Sequence, residues 1–136
     1  MRYFIASRWA NMKQVQLLTE NLTALGHTVF SFVSDPRNFI AKDEIGPSPF
    51  SKLTGEWRDN PELKAAYEHD LEGLRESDVV ILLLPAGRTS HLQAGIGFGL
   101  DKKMVMIGEP EAPETHYLMF DESYPTIEKF IATLKQ

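Results

Sequence analysis

Residues Ser77–Lys103 read SDVVILLLPAGRTSHLQAGIGFGLDKK, and this stretch decides the fold. Val79–Leu84 is an unbroken apolar run, too short for a membrane span and of the length of a strand. A strand with no polar alternation is one covered on both faces, which places it at the centre of a parallel sheet. Pro85–Thr89 then forms a short loop, and a glycine-rich helix opened by Ser90 runs on towards Lys103. That loop leaves the carboxyl end of the strand, where open α/β sheets bind their ligands.

Working outward, Arg2–Ala6 reads as a first strand and His27–Val33 as a second. Between them Val15, Leu18, Leu22 and Leu25 recur at helical spacing, with Asn11 placed to cap the helix and Gly26 to stop it. Strand, helix and strand with short joints make a right-handed βαβ unit. Ser34–Arg58 carries Pro36, Gly46, Pro47, Pro49 and Gly55 among mixed charges. It reads as a long irregular loop with a short helical turn near Phe39, and loops of such length are usually binding segments. Asn60-Pro61 starts the next helix, whose apolar stripe is Leu63, Ala66, Tyr67, Leu71 and Leu74. Beyond the central strand and its helix, Lys103–Ile107 and Tyr117–Phe120 are expected as strands four and five, and Tyr124–Leu134 as a closing helix. The expected fold is a single α/β domain over residues 1–136. It is a doubly wound, flavodoxin- or Rossmann-like parallel sheet of five strands with helices on both faces.

Composition narrows the function. A net charge of -5 argues against unaided binding to nucleic acid or to an anionic membrane. The absence of cysteine excludes disulfides and thiolate metal sites. His27, His69, His91 and His116 show no ligand spacing, so a metal site is not expected; no cofactor is expected either. The opening MRYFIASRW is a strand rather than a signal peptide, and the cytoplasm is the expected location.

Asp70 is the sharpest single signal, because it falls inside the apolar stripe of its helix. A buried carboxylate costs several kcal/mol unless it is paired, hydrogen-bonded or protonated. It is either a general acid/base or sugar-binding group, or an aspartate tied to backbone amides or to Arg8 or Arg88. Ser90 and Gln93 match a capping box, which explains both without chemistry. Alternatively Gly87, Arg88, Thr89, Ser90 and His91 receive a phosphate or a ribose hydroxyl at the helix start. Gly95, Gly97 and Gly99 lie inside the helix, where the dinucleotide fingerprint does not put its glycines. Close packing on the sheet or on a second subunit accounts for them better. Tyr3, Ser7, Arg8 and Trp9, on or just past the first strand, are either core or a wall of the same crevice.

Three stretches together resemble the nucleoside 2-deoxyribosyltransferase family and its nucleotide N-glycosidase relatives. They are Tyr3–Trp9, then Glu56-Trp57 with Tyr67–Leu74 and Ser77-Asp78, then Pro85–Gly95 on to Lys102-Lys103. The resemblance implies a glutamate nucleophile at the start of the crevice helix, attacking the anomeric carbon as the base leaves. The glycosyl-enzyme then passes its sugar to another base or to water, the two-step logic of retaining glycosidases. It further implies that Asp70 assists the leaving base and holds the nucleophile, and that Tyr3 orients it. Ser7, Arg8 and Trp9 would wall the substrate site. Arg88, Thr89, Ser90 and His91 would meet a 5′-phosphate.

At the nucleophile position this chain has Gln93. An amide oxygen is a poor nucleophile and carries no charge to stabilise an oxocarbenium-like transition state. Three explanations stand: an inactivated variant, a natural relative that binds without turnover, or replacement by a loop carboxylate such as Glu44 or Glu56. The leading reading remains N-glycosidic bond chemistry on (deoxy)nucleosides or their 5′-monophosphates, by transfer or hydrolysis. It requires Asp70 and Gln93 within hydrogen-bonding reach of each other. Its rivals are a non-catalytic nucleotide-binding or sensing module, a TIR-like NAD-cleaving or signalling domain, and an interaction-only domain. A homodimer or higher homo-oligomer is expected through the glycine-bearing helix.

Overall fold

The computed structural model describes residues 1–32, 50 and 53–136. Five strands form one parallel sheet: β1 (Arg2–Ala6), β2 (Thr28–Phe30), β3 (Val79–Leu83), β4 (Lys103–Ile107) and β5 (Glu122–Tyr124), in the order β2-β1-β3-β4-β5. Tyr3 stands opposite Val79 and Ala6 opposite Leu82, while Val79 on its other side meets Lys103. β3 is buried along its whole length, as its apolar run requires. The order is that of flavodoxin-like folds, whose ligand crevice opens between the carboxyl ends of β1 and β3.

The helices α1 (Met12–Ala24), α2 (Pro61–Glu76), α3 (Arg88–Gly99) and α4 (Ile127–Leu134) divide between the faces. On one face Val15, Leu18 and Leu22 of α1 and Ile127, Phe130 and Ile131 of α4 pack on Tyr3, Ile5, Ile81, Val105 and Ile107. Side chains of this size are each worth about 1.5–3 kcal/mol when removed from water. On the other face Leu74 of α2 and Ala94 of α3 cover Phe4, Ala6, Val80, Leu82 and Met104. Here α3 presents Ser90, Ala94 and Gly97 to the sheet, one small residue per turn. A Cβ on Gly97 would stand 2.7 Å from Val80 Cγ2, so glycine is what lets the helix lie this close. Among the described residues nothing lies within 4 Å of a Cβ at Gly95 or Gly99, so packing on the sheet, one of the two roles expected of these glycines, belongs to Gly97.

Several boundaries differ from the sequence reading. The fifth strand is Glu122–Tyr124; the aromatic run expected to form it lies in a 3-10 turn, Thr115–Met119. None of the three residues of this edge strand is fully buried, so it needs little apolar patterning. The closing helix starts at Ile127 rather than Tyr124, with the Thr126 hydroxyl accepting from the Lys129 amide at 3.1 Å. The second strand ends at Phe30, and Val33 falls outside the described residues, as do Phe39, Glu44 and most of the expected loop. Trp57–Asp59 forms a short 3-10 turn ahead of α2. The Asn60 cap forms as expected, its Oδ1 accepting from the amides of Glu62 and Leu63. Tyr67, expected in the apolar stripe of α2, is 62% exposed, and only Gly73 and Leu74 of that helix are fully buried. The helix meets the sheet by its last turns, where a Cβ on Gly73 would sit 2.6 Å from the Phe30 ring.

Candidate active site

The rim of the crevice is made by the loops that follow β1 and β3. Ser7 Oγ donates to the carbonyl of Leu83 at 2.8 Å and lies 3.4 Å from that of Pro85. The buried Asn11 amide donates to Ser7 Oγ at 3.0 Å and reaches the Leu84 carbonyl at 3.5 Å. Asn11 is therefore a cross-link between the two loops rather than the side-chain cap its position suggested. The Leu84–Pro85 peptide within this rim is cis. Arg8 is exposed, and its Cβ lies 3.6 Å from where a side chain on Gly87 would begin, so the two loops meet here. Trp9 packs on Phe32 with ring centroids 4.3 Å apart, beyond the ends of β1 and β2.

Helix α3 begins three residues earlier than expected, at Arg88 with Gly87 as its N-cap. Ser90 is thus the third helical residue, and the Ser90–Gln93 capping box does not form. Instead Ser90 Oγ turns back to accept from the Gly87 amide at 2.9 Å and donate to the Gly87 carbonyl at 3.1 Å. Glycine has no side chain to cap the first turn, and Arg88 and Thr89 are exposed beside it. The positive end of the helix dipole accordingly faces the crevice with no acidic residue in its own first turn.

Freed from capping, Gln93 reaches sideways to α2. Its Nε2 donates to Asp70 Oδ2 at 3.2 Å, with both residues half-buried. A carboxylate only accepts, so the amide nitrogen must be the atom facing it, and the amide oxygen remains as an acceptor. The pair offers one ionisable carboxylate able to take or give a proton, and one amide able to hydrogen-bond where the resemblance implies a second carboxylate.

Tyr3 is not part of this arrangement. Its side chain is 3% exposed on the opposite face of the sheet, edge-on to His27 at 5.1 Å and to Phe130 at 6.3 Å. Desolvation there pushes its hydroxyl up from the ordinary phenol range. The strand's period of two turns Phe4 to the α2/α3 face, stacked on Phe30 at 5.2 Å, with His69 of α2 on the far side of Phe30 at 4.7 Å. The residues of β1 beneath the crevice helices, Phe4 and Ala6, therefore carry no hydroxyl. Ser77 and Asp78, part of the resemblance, close α2: Ser77 Oγ donates to the Leu74 carbonyl and Asp78 accepts from the Arg2 amide.

One contact has no counterpart in the sequence reading. His91 Nδ1 lies 2.7 Å from the Gly87 carbonyl and Nε2 lies 2.9 Å from the hydroxyl of Tyr117. Both ring nitrogens are engaged within the protein, and no spacing rule links residues 26 positions apart. Beyond Tyr117, on the side of α3 away from Asp70, a groove of about 420 Å³ is lined by Glu114, His116, Met119 and Phe120. Among the described residues no three His, Asp or Glu side chains gather to hold a metal ion, and no helix is long and apolar enough to cross a membrane.

The five-stranded parallel sheet with helices on both faces is the fold of the 2-deoxyribosyltransferases. The chain is similar to the 2-deoxyribosyltransferase of the psychrotolerant bacterium Bacillus psychrosaccharolyticus, with a TM-score of 0.66 and 18% identity over 98% of this chain and 96% of that one. It is similar also to the CMP N-glycosidase BcmB of Clostridium botulinum, at TM-score 0.63 and 14% identity over the full length of both. A conserved protein of Enterococcus faecalis V583 superimposes at TM-score 0.57 with 11% identity, over 100% of this chain and 98% of the other. No protein-family model and no curated protein matches the sequence.

Proposed function

We propose that the crevice takes a (deoxy)nucleoside or nucleoside 5′-monophosphate, with the N-glycosidic bond beside Asp70 and Gln93, and that the chain holds this ligand without cleaving it. The observation that carries the reading is the 3.2 Å hydrogen bond between Gln93 and Asp70, in a fold shared with a CMP N-glycosidase and a 2-deoxyribosyltransferase. Asp70 is the acid/base group for the base or an acceptor for a sugar hydroxyl. Gln93 occupies the place of the nucleophile and acts as a hydrogen-bonding group. Arg88, Thr89 and the open first turn of α3 are the complement of a 5′-phosphate. Phe4 in place of a hydroxyl-bearing residue under the crevice favours binding over turnover.

The test is release of free base from a panel of deoxynucleosides and their 5′-monophosphates by the chain and by Gln93→Glu. The chain as it stands is expected to bind and not cleave, and Gln93→Glu to gain base release or exchange by at least about a hundredfold. Turnover by the unaltered chain would move the chemistry to Asp70 or to a carboxylate such as Glu56, and absence of both binding and release would end the nucleoside reading.

The proposal treats residues 1–136 as one cytoplasmic domain working without nucleic acid, membrane or cofactor. It includes a homodimer through the outer face of α3, where Leu92 is 69% exposed beside the open Gly95 and Gly99. Light scattering that finds only protomer mass at micromolar concentration would remove the dimer from it.

A further inference from the structure

We infer that Tyr117, far from Asp70 and Gln93 in sequence and on the other flank of α3, is a positioning residue for the crevice, acting through His91 on the Gly87 peptide. A carbonyl oxygen only accepts, so the 2.7 Å contact with Gly87 requires the proton on His91 Nδ1. The neutral ring then has its lone pair on Nε2, which accepts the Tyr117 hydroxyl at 2.9 Å. The carbonyl thus fixes the tautomer, and the phenol, able to donate to the remaining nitrogen, holds the ring where that tautomer grips the peptide, so that a ring released from the phenol can turn away and change tautomer. The same carbonyl receives the Ser90 hydroxyl at 3.1 Å and the His91 amide at 3.2 Å, while the Gly87 amide is taken by Ser90.

This grip has a purpose that packing alone does not explain. Gly87 is the N-cap of α3, it touches the Arg8 loop, and a Cβ there would meet nothing closer than 3.6 Å. Among the described residues no side chain crowds the space a Cβ would take here, and glycine is the residue with the widest backbone freedom. Its orientation is set by hydrogen bonds, and with it the direction in which the first amides of α3 point. Tyr117 supplies the outermost bond of that set from a 3-10 turn between β4 and β5.

The ligand in the test rests on the nucleotide-binding reading; the relay itself does not. Tyr117→Phe removes the hydroxyl and keeps the ring. Nitrogen-15 NMR of the His91 ring is expected to show the Nδ1–H tautomer in the native chain and a substantial Nε2–H population in Tyr117→Phe. Titration with a nucleoside 5′-monophosphate is expected to show affinity weakened about three- to tenfold, the scale of one neutral hydrogen bond. His91→Gln is expected to lose a similar factor, and the double variant no more than the single ones, because both act on one peptide. An unchanged tautomer in Tyr117→Phe, or losses that multiply in the double variant, would overturn the inference. If the native chain binds no nucleotide, the functional reading fails and the tautomer measurement alone decides the relay. Should Tyr117→Phe not fold, the tautomer of the native ring and the affinity of His91→Gln decide it in the same way.

Discussion

The two faces of the sheet are built on opposite plans. Under α1 and α4 the core is made of large side chains, with Phe130, Ile127 and Leu18 interlocking over Tyr3 and Ile5. Under α3 it is made of small ones, Ser90, Ala94 and Gly97, and the helix turns leucine and two further glycines outward. A face that only has to hold maximises buried area. A face that has to place groups holds its helix close and fixed, leaving its other sides available. The difference locates the crevice helices better than any single polar residue does, and the proposed pair, Asp70 and Gln93, joins the two helices of the second face.

The comparison can be attacked at its closest contact. Gly97→Ala puts a methyl group 2.7 Å from Val80 Cγ2 and is expected to lower stability by about 1–3 kcal/mol, the range for overpacking a tight core. Denaturant midpoints would show it, and Val80→Ala should recover part of the loss by making room. A neutral Gly97→Ala would mean that α3 is not held by close approach. A smaller effect of opposite sign sharpens the same point. Gly95→Ala and Gly99→Ala, with nothing within 4 Å, are expected to stabilise the monomer by up to about 1 kcal/mol each. If either destabilises, its open face is occupied in solution.

The smallest expected effect lies at the edge of the first face. Glu122 of β5 accepts from Lys103 Nζ at 2.6 Å and from the Tyr124 hydroxyl, and these bonds hold its carboxyl below the ordinary carboxylate range. A lowered folded value means stability present above pH of about 4.5 and lost as pH falls through the lower folded value. Lys103 is raised mainly by the same bond, so its share is present below its ordinary value and lost as pH rises past it. With Lys103 48% and Glu122 33% exposed, the pair is worth less than about 1 kcal/mol. Glu122→Gln should therefore cost a few tenths of a kcal/mol at neutral pH and nothing in acid; an undiminished deficit in acid would assign the effect to packing.

What the sequence made legible follows physical rules of differing strength. β3 was unmistakable because burial on both faces removes all polar punctuation, and the Asn60-Pro61 start of α2 because caps are local chemistry. The same burial hid which residue of β1 faces the crevice: Tyr3 and Phe4 are both buried, so alternation could not say which side each took. Tyr117–Phe120 looked like a strand because aromatic residues favour strands, yet β4 pairs instead with the more polar Glu122–Tyr124. Ser90 looked like a cap because the first helical turn at Gly87–Thr89 has no apolar signal of its own. Asp70 and Gln93 were joined only by resemblance, since a contact between helices 23 residues apart leaves no trace in spacing.

The Ser7–Asn11 cross-link has a consequence for how a ligand would enter. The loops after β1 and β3 are tied to each other through side-chain atoms and the carbonyls of Leu83, Leu84 and Pro85. A molecule arriving at the crevice meets a rim already in shape, and the conformational entropy of assembling that rim is lost during folding rather than on encounter. Association would then be governed by how often a ligand arrives in the right orientation, with little waiting for these two loops to settle. If the proposed site is right, the strap that looks like a helix cap in the sequence would, in kinetic terms, make its mouth ready in advance.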